Sequence, residues 1–234
     1  MSLKDQQMTT IAIDGPAASG KSTVGRLLAE KLNYVMLDTG FMYRAVTLAA
    51  LHAGLNLKDE TAVTQLASTL HLDVQSATGH QDSRHYTALL NGQDITWDLR
   101  TPDVEANVSL ISSYPGVRQE LVKRQRKFGQ QGNIIMIGRD IGTVVMPDAP
   151  LKLYITASAE ERARRRWLDR QAQGHPDTFA HILADIKRRD NIDSSRQHSP
   201  LKPAADAIII DTTGLAVEEV VNNIIEQLSV NRCQ

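Results

Sequence analysis

Short apolar runs alternate with stretches of helical apolar spacing along most of this chain. Thr10-Ile11-Ala12-Ile13 is apolar and β-branched and predicts a buried strand over 9–14. Tyr34-Val35-Met36-Leu37, Asn133-Ile134-Ile135-Met136-Ile137, Leu151-Lys152-Leu153-Tyr154-Ile155-Thr156 and Ala207-Ile208-Ile209-Ile210-Asp211 predict four more. Helical spacing follows the first run over 22–33, with Val24, Leu27 and Leu28 on one face. Asp38-Thr39-Gly40 leads into a helix through about Ala53, which Gly54 stops, and 59–70 predicts a short one. Pro102 sits at the first turn of another helix, and Pro115 begins the next, to about Gln131. Further helices are expected near 159–172 and 177–190, with a closing helix over Val217–Leu228. Strands alternating with helices predict an α/β fold, a doubly wound five-stranded parallel sheet. Ligands should then lie at the carboxyl ends of its strands.

Residues 71–96 break the alternation. Leu72-Asp73-Val74, Tyr86-Thr87-Ala88-Leu89-Leu90 and Gln93-Asp94-Ile95-Thr96 read as short strands, the last two joined by the hairpin signal Asn91-Gly92. This predicts a small antiparallel insert.

The 234 residues suffice for one domain with a sizeable core. A net charge of −1 gives no sign of a nucleic-acid or membrane-surface partner. The single cysteine, Cys233, can form neither an intrachain disulfide nor a metal site alone. The first residues are polar and lack a signal-peptide core, and no apolar run spans a bilayer. These features lead us to expect a cytoplasmic protein, and the charged surface without coiled-coil pattern a monomer.

Residues 15–22 read Gly15-Pro16-Ala17-Ala18-Ser19-Gly20-Lys21-Ser22, the phosphate-binding pattern G-x-x-x-x-G-K-[ST] with every position filled. It lies between a strand and a helix, as the chemistry requires. Glycines let backbone N–H groups converge on phosphate oxygens, and the helix start adds its positive end. Lys21 should reach the β- and γ-phosphates, and Ser22 should offer its hydroxyl to magnesium. The chain is therefore expected to use ATP or GTP.

Other constellations are weaker alone. Gly138-Arg139-Asp140-Ile141-Gly142-Thr143 follows a strand directly and should face the ligand cleft, although a surface Arg–Asp turn would read the same way. Arg162, Arg164, Arg165 and Arg166 crowd one helix; they are either a solvated face or cations on a mobile flap. Arg189, Asp193 and Arg196 recur near one helical turn and could share a face, or form a charged helix end. Thr39 could cap its helix or, with Arg44, hold an acceptor phosphate. No histidine spacing suggests a metal site, and no Gly-x-Ser-x-Gly elbow suggests covalent catalysis.

Taken together, Ile13-Asp14-Gly15-Pro16 with the loop, Leu37-Asp38-Thr39-Gly40 through Tyr43-Arg44, Gly138 through Thr143, and Arg188-Arg189-Asp190 through Arg196 make a specific set. On these motifs the chain resembles the bacterial cytidylate kinases, which belong to the nucleoside monophosphate kinases, from about Thr10 to Leu228. The resemblance implies a single P-loop kinase domain over 9–234 after a flexible 1–8. It also implies a nucleotide-binding arm with its insert at about 39–112 and an arginine-bearing lid at about 158–176. It implies phosphorylation of CMP and dCMP by ATP with Mg2+, without a covalent intermediate. ATP would be bound by Gly15, Pro16, Ala17, Ala18, Ser19, Gly20, Lys21, Ser22 and Thr23. Thr39, Arg44 and Arg139 would contact the CMP phosphate, and Ser109, Arg118 and Asp140 would read cytosine. Arg189 and Asp193 would hold the sugar, and Arg196 would lie near the transferred phosphate. The catalytic cations would be Lys21, Arg139, Arg165, Arg189 and Arg196.

The base assignment is chemically sound: a carboxylate accepts from cytosine N4, and a guanidinium donates to N3 and O2. One position departs from the family. An acidic residue often precedes Gly-Arg-Asp, and here it is Ile137, so Ser22 is the one metal ligand the motifs name. Other small-molecule P-loop kinases, acting on uridylate, adenylate or shikimate, are the nearest alternative. A GTPase-type switch is the alternative of a different class, and the chain has no Asn-Lys-x-Asp motif to read guanine.

Overall fold

In the computed structural model, residues 10–76, 82, 84 and 86–231 are described. The expected flexible segment 1–8 and Cys233 lie outside them. The chain divides into two compact units: Met1–Asp38 with Gly129–Gln234, and Thr39–Phe128.

The first unit is built on a five-stranded parallel sheet, as the alternation of strands and helices predicts. Its strands are β1 (Thr10–Asp14), β2 (Val35–Asp38), β6 (Ile134–Ile137), β7 (Leu151–Thr156) and β8 (Ile208–Asp211), in the order β2-β6-β1-β7-β8. Central position explains composition. β1 pairs with β6 on one side and β7 on the other, and every one of its residues is buried. The edge strand β8 alternates half-buried and exposed residues instead. Around this sheet stand α1 (Lys21–Leu32), α6 (Ala159–Ala172), α7 (Phe179–Ser195) and α8 (Val217–Asn231). Ile11, Ile13, Val24, Leu28, Ile135, Ile137, Leu153, Ile155, Val221 and Ile224 make one continuous core. Each such side chain contributes about 1.5–3 kcal/mol by leaving water.

Several edges of the reading shift by one to five residues. Asn33 and Asn133 take left-handed backbone at φ 55° and 48°, so β2 and β6 each start a residue later than their apolar runs. α7 continues to Ser195, past the expected end near 190. Its Asn191-Ile192-Asp193-Ser194-Ser195 run has turn-like composition, but Asp193 is buried and ion-paired, and that tertiary contact outweighs propensity.

The second unit holds α2 (Gly40–His52), α3 (Glu60–Thr69), α4 (Pro102–Ile111) and most of α5 (Pro115–Gly129). Its antiparallel sheet is β3 (Leu72–Ser76), β4 (Tyr86–Leu90) and β5 (Gln93–Asp94). Asn91 and Gly92, at φ 51° and 83°, form the hairpin turn between β4 and β5. The return strand is two residues long rather than four, because Thr96 turns back to bond the Asp94 carboxylate at 2.6 and 2.9 Å. Thr39 occupies the position before α2, but its side chain makes no capping bond, which corrects the capping alternative.

Gly15 leaves β1 at φ +146°, and a Cβ there would lie 1.9 Å from the Ile155 carbonyl oxygen on β7. We predict that Gly15→Ala lowers unfolding free energy by about 3–5 kcal/mol, because backbone rather than a flexible side chain must move. Gly54→Ala, also at positive φ (+62°) but with open space around it, should cost only about 1–2 kcal/mol. Urea midpoints compare the two, and equal losses would contradict the close approach.

Candidate active site

The carboxyl ends of β1, β2 and β6 in the first unit carry most of its chemistry. The loop that starts at Gly15 reaches α1 through Ala18 (φ 58°) and Gly20 (φ 90°), two left-handed residues that turn the peptide planes. Lys21 opens α1 and is 5% exposed. Its ammonium donates to the Pro16 carbonyl and, at 3.3 Å, to Ser19 Oγ. Burial, and then the Arg139 charge, push its pKa well below the ordinary lysine value, while Asp38, Asp14 and Asp193 pull it back. The ammonium is thus held in place and drawn from water, the state in which a cation acts most strongly on phosphate oxygens.

β6 ends at Ile137 and delivers Gly138, Arg139 and Asp140 to the same end of the sheet. A single π-helical turn, Ile141–Val145, follows. Arg139 Nε donates to Asp193 Oδ2 at 3.1 Å, and Arg196 Nη2 donates to Asp193 Oδ1 at 2.5 Å. Asp193 and Arg189 lie one turn apart on α7, both buried. One carboxylate therefore orients two arginines that the sequence separates by 57 residues. Asp140 is buried as well, at 4% exposure.

The four clustered arginines in the first half of α6 differ in role. Arg162 is buried; it donates to the Ala17 carbonyl at 3.2 Å and binds both Asp190 oxygens, at 3.0 and 2.6 Å. It joins α6, α7 and the phosphate loop. Arg165 bonds the Thr212 hydroxyl and carbonyl at 3.0 and 2.6 Å, with its guanidinium beside Gly20. Arg164 is exposed and paired with Glu161, and Arg166 is half-buried.

The second unit carries the other residues that the sequence singled out. Arg44 pairs with Glu105 at 2.5 Å and donates to the Leu99 carbonyl at 3.4 Å. Arg118 is 5% exposed, stands 5.5 Å from the Tyr43 ring centre, and donates to the Ser112 carbonyl at 3.1 Å. The Ser112 hydroxyl in turn donates to the Ser109 carbonyl at 3.1 Å. Ser109 and Thr39 are both buried.

Ser22 donates to Asp38 Oδ2 at 3.0 Å, at the carboxyl end of β2. A hydroxyl and a carboxylate side by side, next to the Lys21 ammonium, fit the hard oxygen chemistry of Mg2+. Ile137 does not contribute: its side chain packs so closely on α1 that a Cβ at Gly25 would lie 2.4 Å from its Cδ1.

The profile of the cytidylate kinase family matches residues 11–230. The chain belongs to the cytidylate kinase family. It is 46% identical over 217 residues to a cytidylate kinase of Bacillus velezensis, covering 93% of this chain and 95% of that one. Cytidylate kinases of Limosilactobacillus reuteri and Chloroflexus aggregans are 47% and 49% identical over 215 and 212 residues. Among solved structures, an uncharacterised protein of Eubacterium ventriosum superposes with a TM-score of 0.52 over 96% of this chain and 99% of that one. At 13% identity that likeness speaks to fold alone. No helix among the described residues is long and apolar enough to cross a membrane.

Within this cytidylate kinase family member, three side chains gained a part that the motifs had not given them. Asp38 stands within a quoted motif, and its signal is an acid at the carboxyl end of a parallel strand. Asp14 carries the same signal, one residue before the phosphate loop. Its Oδ1 accepts from Ile141 N–H at 2.7 Å and its Oδ2 from Gly142 N–H at 2.8 Å. Arg162 carried no such signal, since its partners are a loop carbonyl and a carboxylate 28 residues on.

Asp14 is 3% exposed, and burial pushes its carboxyl up to about 6, against the pull of its two N–H bonds and Lys21 and helped by the Asp140 charge. A carboxyl raised in this way favours folding when protonated: the effect is complete below about 4 and is lost as pH rises through about 6. We predict that Asp14→Asn, which does not titrate, gains about 2–3 kcal/mol relative to the parent between pH 4 and pH 8. Denaturant unfolding of both across that range measures it, and a difference independent of pH would contradict the buried charge.

Proposed function

We infer that the chain transfers the γ-phosphoryl group of ATP to CMP, giving ADP and CDP, and to dCMP in the same way. The reading rests chiefly on one juxtaposition: the phosphate loop with its buried Lys21 stands at the same sheet end as Arg139 and Asp140. Family membership over residues 11–230 points to the same chemistry. A phosphate oxygen of CMP attacks the γ-phosphorus in line, the bond to the bridging oxygen breaks, and its electron pair leaves with ADP. The loop residues Gly15 through Thr23 hold the ATP phosphates, and Lys21 stabilises charge as it moves from the γ-phosphate. Arg139, Arg165, Arg189 and Arg196 add positive charge around the reacting groups. Ser22 would bind Mg2+, with Asp38 holding its water shell, and the ion would neutralise phosphate charge.

Asp140 accepts from cytosine N4 and Asp193 from a ribose hydroxyl. A carboxylate has about four lone-pair sites, so Asp193 keeps capacity for a hydroxyl while it holds Arg139 and Arg196. On the other unit, Thr39 and Arg44 are assigned to the acceptor phosphate and Ser109 and Arg118 to the base, by family resemblance. The segment 158–176 is assigned the lid and 39–112 the nucleotide arm. A monomer working in the cytoplasm completes this reading.

Uracil presents an acceptor where cytosine presents N4, so a carboxylate facing it leaves two lone pairs opposed. We predict that Asp140→Asn lowers the ratio of kcat/KM for CMP over UMP at least about tenfold, as expected when a hydrogen-bonding discriminator is lost. Steady-state assays with both acceptors measure it. An unchanged ratio would place the pyrimidine edge elsewhere.

A further inference from the structure

Three carbonyls of the phosphate loop are held by side chains from different parts of the first unit. That of Pro16 accepts from the Lys21 ammonium at the start of α1. That of Ala17 accepts from Arg162 Nη1 on α6 at 3.2 Å. That of Ser19 accepts at 3.2 Å from the hydroxyl of Thr212, the first residue after β8. The described peptide bonds are all trans, and in a trans peptide the carbonyl and the N–H that follows it point opposite ways. A donor that holds each carbonyl on one side therefore aims the N–H groups of Ala17, Ala18 and Gly20 to the other. Converging N–H groups are what bind phosphate oxygens.

Thr212 belongs to none of the motifs, and the phosphoryl transfer described above does not use it. It is 3% exposed, and Ser19 is 0% exposed. Its N–H donates to the Thr156 carbonyl at 2.8 Å, which fixes its backbone to the end of β7. Its hydroxyl accepts from Arg165 Nη1 at 3.0 Å and has one hydrogen to give. Two carbonyls lie in reach of that hydrogen, Thr156 at 3.1 Å and Ser19 at 3.2 Å. The Thr156 carbonyl is already served by the Thr212 N–H, so the distinct contribution of the hydroxyl is to Ser19. We propose that Thr212 is a positioning residue for the ATP phosphates: its hydroxyl holds the Ser19 carbonyl at the rear of the loop and so aims the Gly20 N–H into it. The end of β8 is thereby tied to a loop 193 residues earlier, as Arg162 ties α6 to Ala17.

The proposal rests on the reading of this loop as an ATP site, and its test separates the two. Thr212→Val keeps the shape and removes the hydroxyl, and Thr212→Ser restores it. Calorimetric titration with ATP and magnesium, without acceptor, measures Kd. Thr212→Val is expected to raise Kd at least about fivefold and Thr212→Ser to stay within about twofold of the parent, the scale of one hydrogen bond to a buried carbonyl. Inorganic triphosphate, which has neither base nor sugar, should lose the same factor as a competitor of ATP, and KM for CMP should stay within about twofold. In an Arg165→Met background, Thr212→Val should still weaken ATP binding at least about threefold, because the loop carries the effect. A parent that binds no ATP overturns the ATP reading and this proposal with it. A parent that binds ATP overturns the positioning role alone if Thr212→Val binds as tightly, or if Thr212→Ser is as weak as Thr212→Val. An effect on ATP that triphosphate does not share would place Thr212 at the base and overturn it, as would a matching rise in KM for CMP. An effect that vanishes in Arg165→Met would assign it to that arginine and overturn it too. If Thr212→Val does not fold, Thr212→Ala removes the same hydroxyl and is held to the same values.

Discussion

The phosphate loop exists because the backbone of Gly15 passes against the carbonyl of Ile155 with nothing between them. A Cβ at that point would sit 1.9 Å from the oxygen. The close pass bends the chain out of β1 directly at the sheet's end, and the loop can then rise to α1 through Ala18 and Gly20. Everything that follows depends on where this bend lies. It sets Lys21 as the first residue of α1, buried and bonded to the loop it came from. It also places Asp14 as the last residue of β1, facing the loop that leaves the neighbouring strand β6.

Around the bend, charge is arranged in fixed positions. Asp14, Asp38 and Asp193 each hold a different group: the start of a turn, the Ser22 hydroxyl, and two arginines. Burying charges costs several kcal/mol each unless they are paired and hydrogen-bonded, and here the pairs are made before any ligand arrives. Such pre-set groups need little rearrangement when phosphate charge moves. Arg162 serves the same end at a distance from the reacting groups, since its bonds to Ala17 and Asp190 hold α6 and α7 to the loop. An Arg162 facing solvent would leave that loop carbonyl without this partner.

Much of this was legible in the chain. Five apolar runs marked the five strands of the parallel sheet, and in β1 and β6 the continuous apolar sequence goes with burial of every residue. The hairpin at Asn91-Gly92 was legible for a local reason, its two positive φ angles. Local reading ended where long-range contacts decided. The extra turn of α7 rests on a buried Asp193 that bonds Arg139, and composition alone marks that stretch as a turn. Asp14 looked like the end of a strand; its two partners lie more than a hundred residues on. The arginines of α6 looked alike in sequence, and burial separates them: Arg162 is a pin, Arg164 lies on the surface, and Arg165 stands beside Gly20.

The central claim is that this arrangement moves phosphate from ATP to a cytosine nucleotide. The most direct measurement is ADP release with ATP and magnesium, supplying CMP, dCMP, UMP, AMP and shikimate in turn, with a blank lacking acceptor. The account predicts rapid release with CMP and dCMP, release with UMP slower by at least about tenfold, and little in the blank, since bound acceptor and exclusion of water are both needed. Equal rates with CMP and UMP, or release that does not depend on an acceptor, would contradict it.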